Sequence, residues 1–128
     1  MKTLAVVMKE PGQLALEPLE LSQPAPHDAV VEIAWSGIST GTERLLWEGR
    51  MPAFPGMGYP LVPGYESAGI VVSAGPDAGV AAGERVFVPG ANCYSGARGL
   101  FGGAARRVVV PGARLLPIAT ADGFASLR

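Results

Sequence analysis

Leu61-Val62-Pro63-Gly64-Tyr65-Glu66-Ser67-Ala68-Gly69-Ile70-Val71-Val72 reads as a tight Pro-Gly turn feeding a buried strand. Gly64 and Gly69 let the backbone bend or approach another segment closely. Glu66 is a carboxylate carried into an otherwise apolar run, and Tyr65 sets a phenol directly after the turn. Outward from this stretch, the same punctuation recurs. Residues 3–8 and 14–21 read as strands across a Pro11-Gly12 turn, and 24–28 as a loop because two prolines in three residues exclude helix. Residues 29–35 form the clearest strand, with Val31, Ile33 and Trp35 on one face and Glu32 on the other. Strands are also expected at 67–74, 85–88, 106–110 and 115–118.

One helix is expected, over 40–49, with Leu45, Leu46 and Trp47 as its apolar side and Gly49 as its stop. Residues 51–63 form a long uncharged loop rich in proline, glycine and aromatics, and 89–103 a glycine-rich excursion. About seven short strands and one helix predict a mainly β domain, a compact and partly open barrel with one or two short helices.

At 128 residues the chain fits one domain, and 48% hydrophobic with 16% charged residues is too apolar for disorder. A net charge of −1 without a basic block removes the footprint of a general nucleic-acid binder. The single cysteine, Cys93, excludes an internal disulfide and a cysteine-rich zinc cage, and reads as a small buried hydrophobe. No unbroken apolar stretch reaches the ~18 residues of a membrane span, and Glu10-Pro11-Gly12 breaks the first apolar run early. A soluble, cytoplasmic protein is expected. No strand is followed by Gly-x-Gly-x-x-Gly opening a helix. Gly56-Met57-Gly58 comes nearest, with Leu61 where the third glycine belongs, so a dinucleotide finds no helix N-terminus here.

Three segments carry a resemblance. Gly64-Tyr65-Glu66 resembles the Gly-His-Glu region of medium-chain alcohol dehydrogenases. Residues 35–43, Trp-Ser-Gly-Ile-Ser-Thr-Gly-Thr-Glu, are similar to their Cys-Gly-Ile-Cys-Gly-Thr-Asp segment, and Gly83-Glu84-Arg85-Val86 to their Gly-Asp-Arg-Val turn. The resemblance implies a GroES-like catalytic domain over residues 1–120. It implies that 121–128 begin a connection to a nucleotide-binding domain absent from this chain, which would then be inactive alone. Residues 39–47, 49–60 and 100–105 resemble, more closely, the branch that oxidises a bacteriochlorophyllide's hydroxyethyl group to acetyl in photosynthetic pigment synthesis. That branch implies NAD as cofactor, a tetrapyrrole as partner, and any homo-oligomer forming through the missing domain. A zinc-independent quinone or enoyl reductase, or a non-catalytic GroES-like binding module, are the alternatives.

The departures bear on metal. The family's zinc cysteine falls on Ser39 or Thr40 and its zinc histidine on Tyr65, and a phenol is not a usual zinc ligand. No metal is expected. The resemblance, with these departures, assigns Ser39, Thr40, Thr42, Tyr65 and Glu66 to catalysis and Gly41 and Thr42 to contact with the cofactor. A phenol ordinarily ionises near pH ~10, so Tyr65 suits hydrogen-bond donation to the substrate oxygen better than base catalysis. Thr40 and Glu43, three apart, also read as a capping box, and Glu66 as half of an ion pair with an arginine. Trp47, Phe54, Met57, Tyr59 and Phe101 read either as a satellite core or as the apolar wall of a tetrapyrrole cleft. In the second reading Arg50, Arg44 or Arg98 would meet a propionate.

Overall fold

The computed structural model describes residues 1–118, and the expected connection at 121–128 lies outside the described residues. Chain order is β1 (Lys2–Glu10), β2 (Gln13–Leu21), β3 (Asp28–Ser36), α1 (Thr40–Glu48), β4 (Leu61–Val62), β5 (Ser67–Ala74) and β6 (Arg85–Val88). Then follow β7 (Tyr94–Ser95), β8 (Arg98–Gly99), β9 (Arg107–Pro111), a 3-10 turn (Gly112–Arg114) and β10 (Leu116–Pro117). They form two five-stranded sheets, ordered β7-β2-β1-β4-β8 and β10-β6-β5-β3-β9.

Residues 104–106 stitch the sheets together. Val6 N–H donates to the Ala104 carbonyl (2.9 Å), Arg106 N–H to Leu4 (2.8 Å), and Ile33 N–H to Arg106 (2.8 Å). An Ala5–Ala105 bridge completes the seam. The result is the expected partly open barrel.

Cover on both sides of the central strands explains the core, with Ala29, Val30 and Val31 and again Val108, Val109 and Val110 buried in succession. Val7, Val31, Val62, Val71, Val86, Val88, Val108 and Val110 are fully buried, contributed by both sheets. β-branched side chains suit this pleated, two-sided interior. A smaller cluster of Met8, Leu46, Leu61 and Leu100 lies beneath the long loop, with Met51, Met57 and Tyr59 packed against it.

Three expectations need correction. Trp35 does not follow Val31 and Ile33 inward, for it is 43% exposed. The pairing of β3 with β5 shifts register between Val30 and Val31 and again between Ile33 and Trp35, and each irregularity breaks the inside–outside alternation. The helix buries Leu46 but not Trp47, because successive residues point about 100° apart on a 3.6-residue turn. Ten strands replace about seven among the described residues, the additions being the two-residue β4, β7 and β8. The helix stop stands: Gly49 takes φ 71° and its N–H caps the Leu46 carbonyl (3.2 Å).

Candidate active site

Two loops converge on one pair of hydroxyls. Gly64 adopts φ 101°, and a Cβ there would fall 2.9 Å from the Ala104 nitrogen, so only glycine makes this turn without strain. The turn delivers Tyr65 ahead of β5, where its hydroxyl donates a short hydrogen bond to Ser39 Oγ. Phe101 packs against the Tyr65 ring at 79°, centroids 5.2 Å apart, which fixes the phenol's orientation. Ser39 sits at the N-cap of α1 in extended conformation, yet its side chain makes no cap bond.

The Thr40–Glu43 capping box therefore does not form. Thr40 is the first helical residue, and the cap hydroxyl upstream is committed to Tyr65. Thr42 is half-buried, without a side-chain hydrogen bond among the described residues. Gly41 is exposed, with open space where a Cβ would go. Glu66 forms no ion pair among the described residues. Its carbonyl accepts from Gly37 N–H (2.7 Å), and its carboxylate lies so close that a Gly37 Cβ would meet Oε2 at 2.9 Å.

The sequence pattern marks Glu43 only as a cap. In the structure its Oε2 is enclosed without a hydrogen-bond partner. Burial, with the nearby Glu66 charge, raises the Glu43 carboxyl above its ordinary range, while the Ser39 backbone opposes the shift. Its place three residues inside the helix from Thr40 and close to Glu66 in space was the signal, and only the second half of it needed the fold.

A folded-state rise means that the native state holds more protons than the unfolded chain between pH 4.5 and the folded value. Native stability should grow as pH falls through that window and carry a constant penalty above it. Glu43→Gln, which removes the charge at nearly the same shape, is accordingly expected to stabilise the chain at pH 7, though by well under about 1 kcal/mol because solvent screens a carboxylate that is only partly buried. Thermal melts should show a rise of no more than about 2 °C, shrinking to nothing below the window. A variant melting at or below the parent at pH 7 would contradict this account of Glu43.

The residues proposed as substrate wall divide. Trp47 and Thr40 line a cavity of about 810 Å³ between α1 and the β1–β2 hairpin. Phe54 and Phe101 are half-exposed, Phe101 beside Tyr65. Met57 and Tyr59 belong to the small core, where the Tyr59 hydroxyl donates to the Leu46 carbonyl (2.5 Å) and burial raises its pKa. Arg44 and Arg50 share Glu48 (3.3 Å each), which depresses that carboxyl. Arg98 stacks its guanidinium against Gly58. Cys93 is buried in the main core, and burial pushes its thiol up.

A zinc ion finds poor donors here: no three His, Cys, Asp or Glu side chains cluster among the described residues, and Ser39 and Tyr65 bond to each other. A dinucleotide finds no glycine-rich strand-to-helix turn among the described residues, only the open first turn of α1 at Gly41 and Thr42.

Residues 25–120 match the model of the alcohol dehydrogenase GroES-like domain. The chain belongs to this family. The GroES-like domain is 56% identical over 123 residues to 2-desacetyl-2-hydroxyethyl bacteriochlorophyllide A dehydrogenase of Cereibacter sphaeroides, covering 92% of this chain and 39% of that protein. It is 55% identical to the protein of the same name from Rhodobacter capsulatus, covering 96% of this chain and 40% of the relative. The chain thus spans about two fifths of the length of these relatives. Among solved structures, D-arabinose dehydrogenase of Sulfolobus solfataricus superposes with a TM-score of 0.76 at 21% identity, over 94% of this chain and 41% of that one. That likeness concerns the fold. Among the described residues no helix is long and apolar enough to cross a membrane.

Proposed function

We propose that this GroES-like domain handles substrate and proton in a cytoplasmic dehydrogenase that oxidises the hydroxyethyl group of a bacteriochlorophyllide to acetyl. The observation that carries the reading is 56% and 55% identity, over nearly all of this chain, to two proteins named for that activity. NAD would accept the hydride from the carbinol carbon. Its binding would fall mainly outside the described residues, with Gly41 and Thr42 touching it from the open helix turn.

Within this chain the work falls to the hydroxyl pair. Ser39 Oγ accepts from Tyr65 and keeps a second lone pair for the substrate O–H. As hydride departs, the alcohol proton passes to Ser39 Oγ while the Ser39 proton moves to the Tyr65 oxygen and the Tyr65 proton leaves to water, the pair having reversed its direction because each hydroxyl donates and accepts. Half-exposed Tyr65 then opens a route to solvent. The Ser39 O–H is left to donate to the new carbonyl, and a preorganised donor of this kind lowers the barrier. Catalysis on this account runs without metal.

The test is direct. A full-length protein carrying this domain, given hydroxyethyl bacteriochlorophyllide and NAD, should yield the acetyl pigment with one NADH per pigment, followed by absorbance. NADPH-dependent reduction of quinones, with the pigment left unchanged, would replace this reading with that of a reductase.

A further inference from the structure

Two loops run together toward the Tyr65–Phe101 contact. Arg98 N–H donates to the Pro60 carbonyl (2.9 Å) and Gly102 N–H to the Val62 carbonyl (2.8 Å). β4 and β8 add a parallel pair that sets Leu61 beside Arg98. Residues 51–63 and 89–103 are thereby joined as far as Phe101, whose ring packs on Tyr65. Arg98 is the only residue of either segment with a formal charge at pH 7.

The Arg98 guanidinium lies against Gly58, where a Cβ would fall 2.5 Å from Nε and 3.0 Å from Cζ. Glycine thus leaves room for the arginine to rest on the loop. Arg98 is exposed and has no ion pair among the described residues. The two other arginines considered for a propionate are already engaged. Arg44 and Arg50 both hold Glu48, at 3.3 Å each, and depress its carboxyl. A lone cation in an uncharged rim, with Phe54 and Phe101 half-exposed nearby in the chain, suits an apolar acid.

A bacteriochlorophyllide is such an acid. Its propionate and its hydroxyethyl group stand on different pyrrole rings, so the carboxylate must be held well away from the reacting carbon. Arg98 lies three residues before Phe101, a span of at most about 11 Å of extended chain. That offset places an anchor along the rim from the Ser39–Tyr65 hydroxyls rather than beside them. We propose that Arg98 is the specificity-determining residue that binds the substrate's propionate carboxylate through its planar fork of donors. This rests on the dehydrogenase function proposed for the domain. A flat pigment laid over the rim would shield the pair from water and strengthen it beyond an exposed ion pair.

Esterification removes the charge and keeps the chromophore, so the free hydroxyethyl pigment and its propionate methyl ester are compared in the full-length protein carrying this domain. KM for the acid is expected about tenfold below that for the ester, the low end for a charged hydrogen bond, with kcat equal to within about twofold. Arg98→Gln should raise KM for the acid to the ester's value and leave the ester's constants unchanged, as loss of uniform binding requires. Arg98→Lys keeps the charge without the fork and should retain about threefold discrimination. Arg114→Gln is the comparison, since that guanidinium lies beside Gly90 at the base of the excursion, and it should discriminate as the parent does. Equal KM for acid and ester in a parent that oxidises both would overturn the anchor and leave the dehydrogenase standing. So would an Arg98→Gln enzyme that handles acid and ester equally badly, or loss of discrimination in Arg114→Gln instead. Oxidation of neither pigment would remove the dehydrogenase and the anchor together.

Discussion

Ser39→Ala in the full-length enzyme is expected to lower kcat about 100-fold with KM changed by less than about threefold, the low end for a positioned proton-transfer group. The asymmetry follows from when the contact matters. The Ser39 hydroxyl strengthens its hydrogen bond as the carbinol oxygen loses its proton, so its loss raises the barrier more than it weakens binding. Tyr65→Phe should cost about as much, because it removes both the donor that orients Ser39 and the oxygen through which the Ser39 proton leaves. The double variant should be no slower than Ser39→Ala alone, since groups acting as a unit are not additive. Steady-state kinetics with the hydroxyethyl pigment decides. A Ser39→Ala enzyme within twofold of the parent would remove the pair from the mechanism.

The largest stability effect is expected at Gly69. A Cβ built there would lie 2.1 Å from the Glu32 carbonyl oxygen and 2.8 Å from its carbon, both backbone atoms of the neighbouring strand. Nothing flexible can yield, so β3 and β5 must separate locally or slip at the irregular register beside Ile33. Gly69→Ala should cost about 3 kcal/mol, the upper end for overpacking, read as a lower urea midpoint at unchanged m-value. Gly41→Ala is the contrasting case: open space surrounds the position in the first turn of α1, and alanine there should be neutral or stabilising by a fraction of the ~1 kcal/mol seen in helix interiors. Equal effects at the two glycines would show that the close approach of the strands does not govern Gly69.

Gly69 also shows how much of the fold is legible in the sequence. A glycine inside an apolar strand already signals close backbone approach, and β5 and β6 occupy the residues that their apolar runs and bounding turns predict. Two-residue strands such as Tyr94–Ser95 carry no period and leave no local signal. Trp35 misleads because register irregularities override alternation, and nothing local announces them. The capping box is a sound local reading, displaced by a partner 26 residues away that claims the Ser39 hydroxyl. The apolar outer face of the hairpin is hidden for a similar reason: Leu14 and Leu16 join Leu4 and Val6 only once the hairpin register is known.

The resemblance in the sequence locates Tyr65 and either Ser39 or Thr40 as the places where family chemistry changes, and the fold brings Ser39 into contact with Tyr65. What has no sequence signal is the direction of that contact, with the phenol serving Ser39.

The most direct measurement takes the purified full-length enzyme, determines its metal content, and follows pigment oxidation before and after exhaustive chelation. Proton handling by Ser39 and Tyr65 predicts turnover unchanged to within about twofold and no stoichiometric zinc. One tightly held zinc per subunit, removed together with turnover and restored with it, would contradict the account.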